Sequence, residues 1–346
     1  MRVRWIRERV AAEGEREGRP GGGNGGRVRR LVRGLAGFAL AVALPAVLAI
    51  GGAPVTKAAF SQDGFDFWVD SSMGPIKSRI FRAADGNTGR VLYALDGLRA
   101  RDDLSGWEID TDVPRLVSQY NINIVMPVGG QSSFYSDWAA ASNTNGQAKP
   151  YAWETFLTQD LPNAMRDRLG FSPVGNAVMG LSMGGSAAVT LAAYHPEQFK
   201  YAAAYSGYLN PSGLGMREAL RLALMDAGGY NIDAMWGFPW DPRWTRNDPT
   251  HEVNLLRANG TRLWVSSGNG IPGQRDQINA PMDLFHLVNA QVLEAVALGN
   301  TKAFQASWDG GGPGNATFDY TPVGVHSWHY WTDEVVKMLP DLNEHL

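Results

Sequence analysis

"MGLSMGGSAAVTLAAYHPEQF", residues 179–199, is the stretch whose reading decides the fold. An apolar run, "NAVMGL" (176–181), ends at Ser182, and a small-residue run of helical character, 183–194, follows at once. Gly180, Ser182 and Gly184 form G-x-S-x-G across that junction. In a nucleophile elbow the serine sits on a tight, strained turn between strand and helix, so its near neighbours must lack bulk. The helix behind it would present free N–H groups to a developing oxyanion. The competing expectation is a serine that merely caps the helix. The pentapeptide alone is weak, because Gly and Ser are common; the strand–turn–helix setting gives it weight.

Outward from the elbow, short apolar runs alternate with helical patterns, which predicts parallel strands joined by crossover helices. Strands are expected at 91–95, 122–127, 176–181, 201–205, 262–266 and 303–308, and helices at 153–168, 183–194, 217–226, 281–297 and 330–339. "AASNTNGQAKP" (140–150) and "GGGPGNATF" (310–318) read as loops. No internal repeat is present.

Residues 1–58 have a composition of their own, with eleven Lys/Arg and four Glu. Arg29, Arg30 and Arg33 lead into the apolar run 35–50, then Gly51, Gly52 and small residues. Basic, apolar and small-residue regions in that order predict an export signal removed on secretion. The run is short for a membrane span and contains Pro45. The expected organisation is therefore a leader, 1–58, and one globular domain, 59–346. The chain's net charge of −3 and the leader's surplus of seven positive charges leave the remainder near −10. A remainder that acidic has no electrostatic footprint for nucleic acid. With no cysteine there is no thiolate nucleophile, Cys-based metal site or disulfide. No histidine cluster has metal-ligand spacing, and no phosphate-cradling P-loop occurs, so neither metal nor cofactor is expected. Of the twelve Trp, some are expected to line a pocket.

A serine hydroxyl needs a base. All six histidines follow Ser182: His195, His251, His286, His326, His329 and His345. His195 ends a helix in "AAYHPEQF", where capping is the plain role. His326 in "PVGVHSWHYW" precedes the last helix and preserves the order Ser…acid…His of α/β-hydrolases; His329 is its close rival. For the acid, Asp276 follows the strand "RLWVSSGNG" in a loop and is the choice from pattern, whereas Glu294 sits on a helix, where a lone Glu is ordinarily solvated.

Longer segments carry a resemblance. "LDGLRARDDLSGWEID" (95–110), "NIVMPVGGQSSFYSDW" (123–138), "WETFLTQDLP" (153–162), the elbow stretch, "DPRWTRNDPT" (241–250), "TRLWVSSGNG" (261–270) and "HSWHYW" (326–331) resemble the antigen 85 mycolyltransferases over nearly all of 59–346. The resemblance implies an α/β-hydrolase fold, a mostly parallel central sheet flanked by helices, without a separate lid domain. It implies a triad of Ser182, Glu294 and His326. Glu294 is preferred to Asp276 because "VLEAVALGNTKAF" matches the family's segment and keeps its spacing to His326. It implies an oxyanion hole of the Leu98 and Met183 N–H groups, and sugar contacts from Asp96, Arg99, Asp110, Asn210, Ser327 and Trp328. Asp110 stands where the family has Asn, and a carboxylate cannot donate. Ser267 replaces a family Cys, and the family's disulfide-bearing loop is here Cys-free.

The implied activity is acyl transfer: a mycolyl group from trehalose monomycolate passes through a Ser182 acyl-enzyme to a second trehalose monomycolate or to cell-wall arabinogalactan. Host fibronectin is a further partner by the same resemblance. Two alternatives are carried. A secreted esterase with water as acceptor would use the same residues, and its products would distinguish it. A non-catalytic adhesin would fail to react with a serine-directed phosphonate.

Overall fold

The computed structural model describes residues 63–346; the expected leader, 1–58, lies outside them. Eight strands form one sheet: β1 (Phe65–Ser71), β2 (Gly74–Phe81), β3 (Val91–Leu95), β4 (Asn123–Pro127), β5 (Asn176–Leu181), β6 (Phe199–Tyr205), β7 (Arg262–Ser267) and β8 (Ala316–Tyr320). Their order across the sheet is β1-β2-β4-β3-β5-β6-β7-β8. β1 and β2 pair antiparallel, as do β2 and β4; every pairing from β4 to β8 is parallel.

The central strands β3, β4 and β5 are buried at every position. That is why they read as unbroken apolar runs: crossover helices cover both faces of a parallel sheet. Alternate residues feed two cores. Tyr93, Leu95, Val178, Ala202 and Ala204 pack with Ala188, Val189 and Ala192 of helix Met183–Tyr194. Leu92, Ala94, Ala177, Met179, Tyr201 and Tyr205 pack with Val335, Met338 and Leu339 of helix Trp328–His345. The strand period of two thus divides each sequence run between opposite layers.

The order β4-β3-β5 places a topological switch at the centre. The chain leaves β3 toward β4 on one side and leaves β5 toward β6 on the other. The loops after Leu95 and Leu181 therefore part and open a crevice at the carboxyl ends of the strands, where open α/β sheets bind their ligands. This is the α/β-hydrolase arrangement, and no separate lid is evident among the described residues.

Three expectations are corrected. Residues 303–308 are not a strand; they belong to helix Pro281–Asp309, which runs twelve residues beyond its expected end. "AFQASW" has a short apolar alternation, but the buried positions Ala297, Thr301, Phe304 and Trp308 continue a helical stripe. The last strand is β8, within and beyond the stretch 310–318 that reads as a loop. Flanking glycines disguise it, and all five of its residues are only half-buried. The expected helix 153–168 is broken by a π-turn at Phe156–Asp160, immediately before Leu161–Leu169. The β1–β2 hairpin was not anticipated.

Candidate active site

Ser182 lies between β5 and helix Met183–Tyr194 with φ 54° and ψ −121°. A non-glycine residue rarely holds a positive φ, and such strain concentrates at functional sites. The glycines around it are sterically required. A Cβ on Gly180 would lie 2.3 Å from the Gly184 backbone, and one on Gly184 would lie 2.5 Å from the Asp96 carbonyl oxygen. Ser182 occupies the position before the helix, yet its side chain makes no capping hydrogen bond. Its hydroxyl is therefore not spent on capping.

Across the crevice, the loop after β3 comes close. A Cβ on Gly97 would be 3.6 Å from the Ser182 Cβ. The N–H groups of Leu98, in this loop, and Met183, at the helix start, have no acceptor among the described residues. Met183 is one of the residues whose N–H groups helix geometry leaves unsatisfied.

On the other side stand Glu294 and His326. Glu294 is 1% exposed, and its Oε2 lies 2.9 Å from His326 Nδ1. Its Oε1 accepts from Ser206 Oγ at 2.8 Å, Ser267 Oγ at 3.0 Å and the Gly268 N–H at 2.6 Å. Burial pushes the Glu294 carboxyl up, but the His326 hydrogen bond and charge, with the Ser206 and Gly268 donors, outweigh it and hold the group below its ordinary range. The bond at Nδ1 fixes the neutral imidazole with its lone pair on Nε2. Trp331 meets the His326 ring edge-on at 4.9 Å, and Tyr208 stacks against it at 6.3 Å and 19°. The His326 N–H donates to the Ala290 carbonyl at 3.1 Å, tying the histidine loop to the helix that carries Glu294.

Tyr208 joins the two halves of the site. Burial pushes its phenol up to about 12, and the nearby Ser182 hydroxyl pulls it back in part. No hydrogen bond joins Ser182 to His326 among the described residues, the looseness common in catalytic groups before substrate binds.

The expected sugar-contact residues divide. Asp96 and Trp328 share a wall: both side chains crowd the position a Gly106 Cβ would take, at 3.2 Å for Asp96 and 2.3 Å for Trp328. Trp328 also packs edge-on against Trp107 and Trp331. Asp96 is buried and accepts from the Gly106 N–H at 3.1 Å; desolvation pushes its carboxyl up to about 7. Asp110 caps the short helix Gly106–Ile109 and is exposed. Arg99 is exposed at the rim and pairs with Asp226. Asn210 lies two residues beyond Tyr208, its N–H donating to Asn300 Oδ1 at 2.9 Å. Ser327 precedes the last helix, its hydroxyl 3.1 Å from His329 Nδ1.

The rival histidines are engaged elsewhere. His329 Nε2 faces Asp276 Oδ1 at 3.3 Å, so the two alternatives from pattern find each other. His195 ends its helix and bonds to Glu154 at 2.8 Å. His345 Nδ1 bonds to the Asp341 carbonyl; His251 and His286 are exposed. Ser206, Gly268 and Tyr208 were missed as members of the site. The available signal was a serine at the end of an apolar strand with glycine one or two residues on, repeated in "LSMG", "YSGY" and "SSGN".

Comparison with known proteins identifies the family and the fold. Residues 74–342 match the family described as "Putative esterase". Diacylglycerol acyltransferase/mycolyltransferase Ag85C of Mycobacterium avium is 43% identical over 298 residues, covering 86% of this chain and 82% of that protein. Diacylglycerol acyltransferase/mycolyltransferase Ag85A of Mycobacterium leprae is 42% identical, covering 93% of this chain and 94% of that protein. Among solved structures, MPT51 (FbpC1) of Mycobacterium tuberculosis superposes with TM-score 0.69 at 29% identity, covering 82% of this chain and 99% of that chain.

Proposed function

The chain belongs to the antigen 85 mycolyltransferases, esterase-family acyltransferases, and on that premise we propose that it moves a mycolyl group from trehalose monomycolate through an acyl–Ser182 intermediate. The observation that carries this reading is the uncapped Ser182 hydroxyl on its strained turn, with a buried Glu294–His326 pair on one side and two unengaged N–H groups on the other.

In this reading substrate binding brings the Ser182 hydroxyl to His326 Nε2. The imidazole takes its proton as Oγ attacks the ester carbonyl carbon, and Glu294 stabilises the imidazolium. The oxyanion accepts from Leu98 and Met183, each such donor being worth ~10²–10³ in rate. Collapse of the tetrahedral intermediate breaks the bond to the sugar oxygen, which leaves with the proton from His326. A hydroxyl of a second trehalose monomycolate, or of cell-wall arabinogalactan, then gives its proton to His326 and attacks the acyl carbon, and collapse breaks the bond to Ser182 Oγ, which takes the proton back from His326.

The wall of Asp96 and Trp328, with Asp110, Arg99, Asn210 and Ser327 around the opening, is proposed to hold the sugar. Export into the envelope is proposed from the order of charge and hydropathy in residues 1–58. No helix of the described residues is long and apolar enough to cross a membrane.

The test is product analysis with trehalose monomycolate as the acyl donor, with and without added trehalose. Trehalose dimycolate as the main product supports transfer. Free mycolic acid alone, unaffected by added trehalose, would instead mean an esterase that uses water.

A further inference from the structure

Three adjacent parallel strands end in serine. The register pairs Leu181 with Tyr205 and Tyr205 with Ser266, so the next residues, Ser182, Ser206 and Ser267, stand in a row across the carboxyl edge of β5, β6 and β7. Ser182 is the proposed nucleophile. Ser206 shares its unusual backbone: φ is 50° there and 54° at Ser182. Nothing in chain reversal demands a serine at that angle, since glycine would hold it without strain. The cost is kept for a hydroxyl at this place.

That hydroxyl is fully committed. Ser206 is buried, its Oγ accepts from the Trp331 indole N–H at 2.9 Å and donates to Glu294 Oε1 at 2.8 Å. A hydroxyl has one proton. The indole, which can only donate, obliges Ser206 to turn that proton toward the carboxylate. Trp331 in turn lies edge-on against His326, the residue that Glu294 serves. The chain Trp331 → Ser206 → Glu294 → His326 closes on itself around the catalytic imidazole.

We propose that Ser206, oriented by Trp331, is a positioning residue that holds Glu294 Oε1 so that Oε2 stays aligned with His326. The Gly268 N–H donates to the same oxygen, and Ser267 Oγ divides its one proton between that oxygen at 3.0 Å and the Gly268 carbonyl at 3.1 Å, so Ser206 and Gly268 are the donors that set the carboxylate's orientation. The proposal rests on the triad reading above. It adds that the acid's alignment comes from a directed hydroxyl and not from burial alone.

The distinguishing variant is Ser206→Gly, which accepts the positive φ and removes only the hydroxymethyl group. Hydrolysis of p-nitrophenyl butyrate is measured for wild type, Ser206→Gly, Trp331→Phe, the double variant and Ser182→Ala, with thermal unfolding of each. The expected result is a ~10–100-fold lower kcat for Ser206→Gly with KM and Tm little changed, the range for loss of a hydrogen bond to a charged group. Trp331→Phe should lower kcat in the wild-type background and add little in the Ser206→Gly background, because it acts through that hydroxyl. Wild-type kcat in Ser206→Gly, or fully additive losses in the double variant, would overturn the proposal. Retained hydrolysis in Ser182→Ala would overturn the triad reading itself, a separate outcome.

Discussion

Two imidazole–carboxylate pairs lie within a few residues of each other, and only one is built for catalysis. Glu294 and His326 approach to 2.9 Å with side chains 1% and 8% exposed. Asp276 and His329 approach to 3.3 Å, with the imidazole 27% exposed. The carboxylates differ in their other partners: Glu294 Oε1 gathers Ser206, Ser267 and Gly268, whereas Asp276 Oδ2 accepts from Tyr330 Oη and the Gly273 N–H. The imidazoles differ more. His326 spends Nδ1 on Glu294 and keeps Nε2 for the serine side, while His329 has Ser327 at Nδ1 and turns Nε2 toward Asp276 Oδ1 at 3.3 Å without a hydrogen bond. A general base needs a nitrogen that faces the nucleophile and not a carboxylate. The Asp276 pair fastens the loop after β7 to the last helix; the Glu294 pair leaves a basic atom free.

Substitution should separate the pairs widely. Glu294→Gln preserves volume but removes the charge that stabilises imidazolium, and a fall of ~10⁴ in kcat is expected; His326→Gln should cost at least as much. His329→Gln belongs at the other end of the scale. Its effect on kcat should stay under about threefold, with under ~1 kcal/mol lost in stability, as for a partly exposed pair. Parallel turnover and urea unfolding of the variants check both. A large activity loss in His329→Gln would erase the distinction between the pairs.

Between these extremes, a second buried carboxyl sharpens the contrast. Asp96 is as hidden as Glu294, but backbone N–H donors and no cation face it, so desolvation prevails and lifts it to about 7. Glu294, beside His326, is held low. Because the folded-state value of Asp96 exceeds its unfolded value, folding takes up protons between about pH 4 and pH 7. Its contribution to stability is therefore present at acid pH and falls as pH rises through that window, by about 4 kcal/mol. Urea unfolding at pH 5 and pH 8 should show a smaller decline for Asp96→Asn than for wild type. An identical decline in both proteins would contradict the assignment.

The elbow was legible because its physics is local: a strand, a turn too tight for Cβ atoms and a helix leave their marks in consecutive residues. The parallel sheet was legible for a similar reason, since strands buried on both faces read as continuous apolar runs. Glu294 was not legible from pattern. It sits mid-helix, and only docking of that helix against the end of β7 converts a site that reads as solvated into the most protected carboxylate of the pair. Residues 303–308 failed for the opposite reason: six residues of alternation look the same in a strand and on a long helix until the buried stripe from Ala297 to Trp308 is seen. Ser206 and Tyr208 left only a faint trace, because their roles depend on side chains 88 to 125 residues away.

The most direct test of the account is the mass of the protein and its proteolytic peptides after brief incubation with trehalose monomycolate. The account predicts one added acyl group on the peptide containing Ser182, absent from Ser182→Ala. An acyl group attached elsewhere, or undiminished transfer by Ser182→Ala, would contradict it.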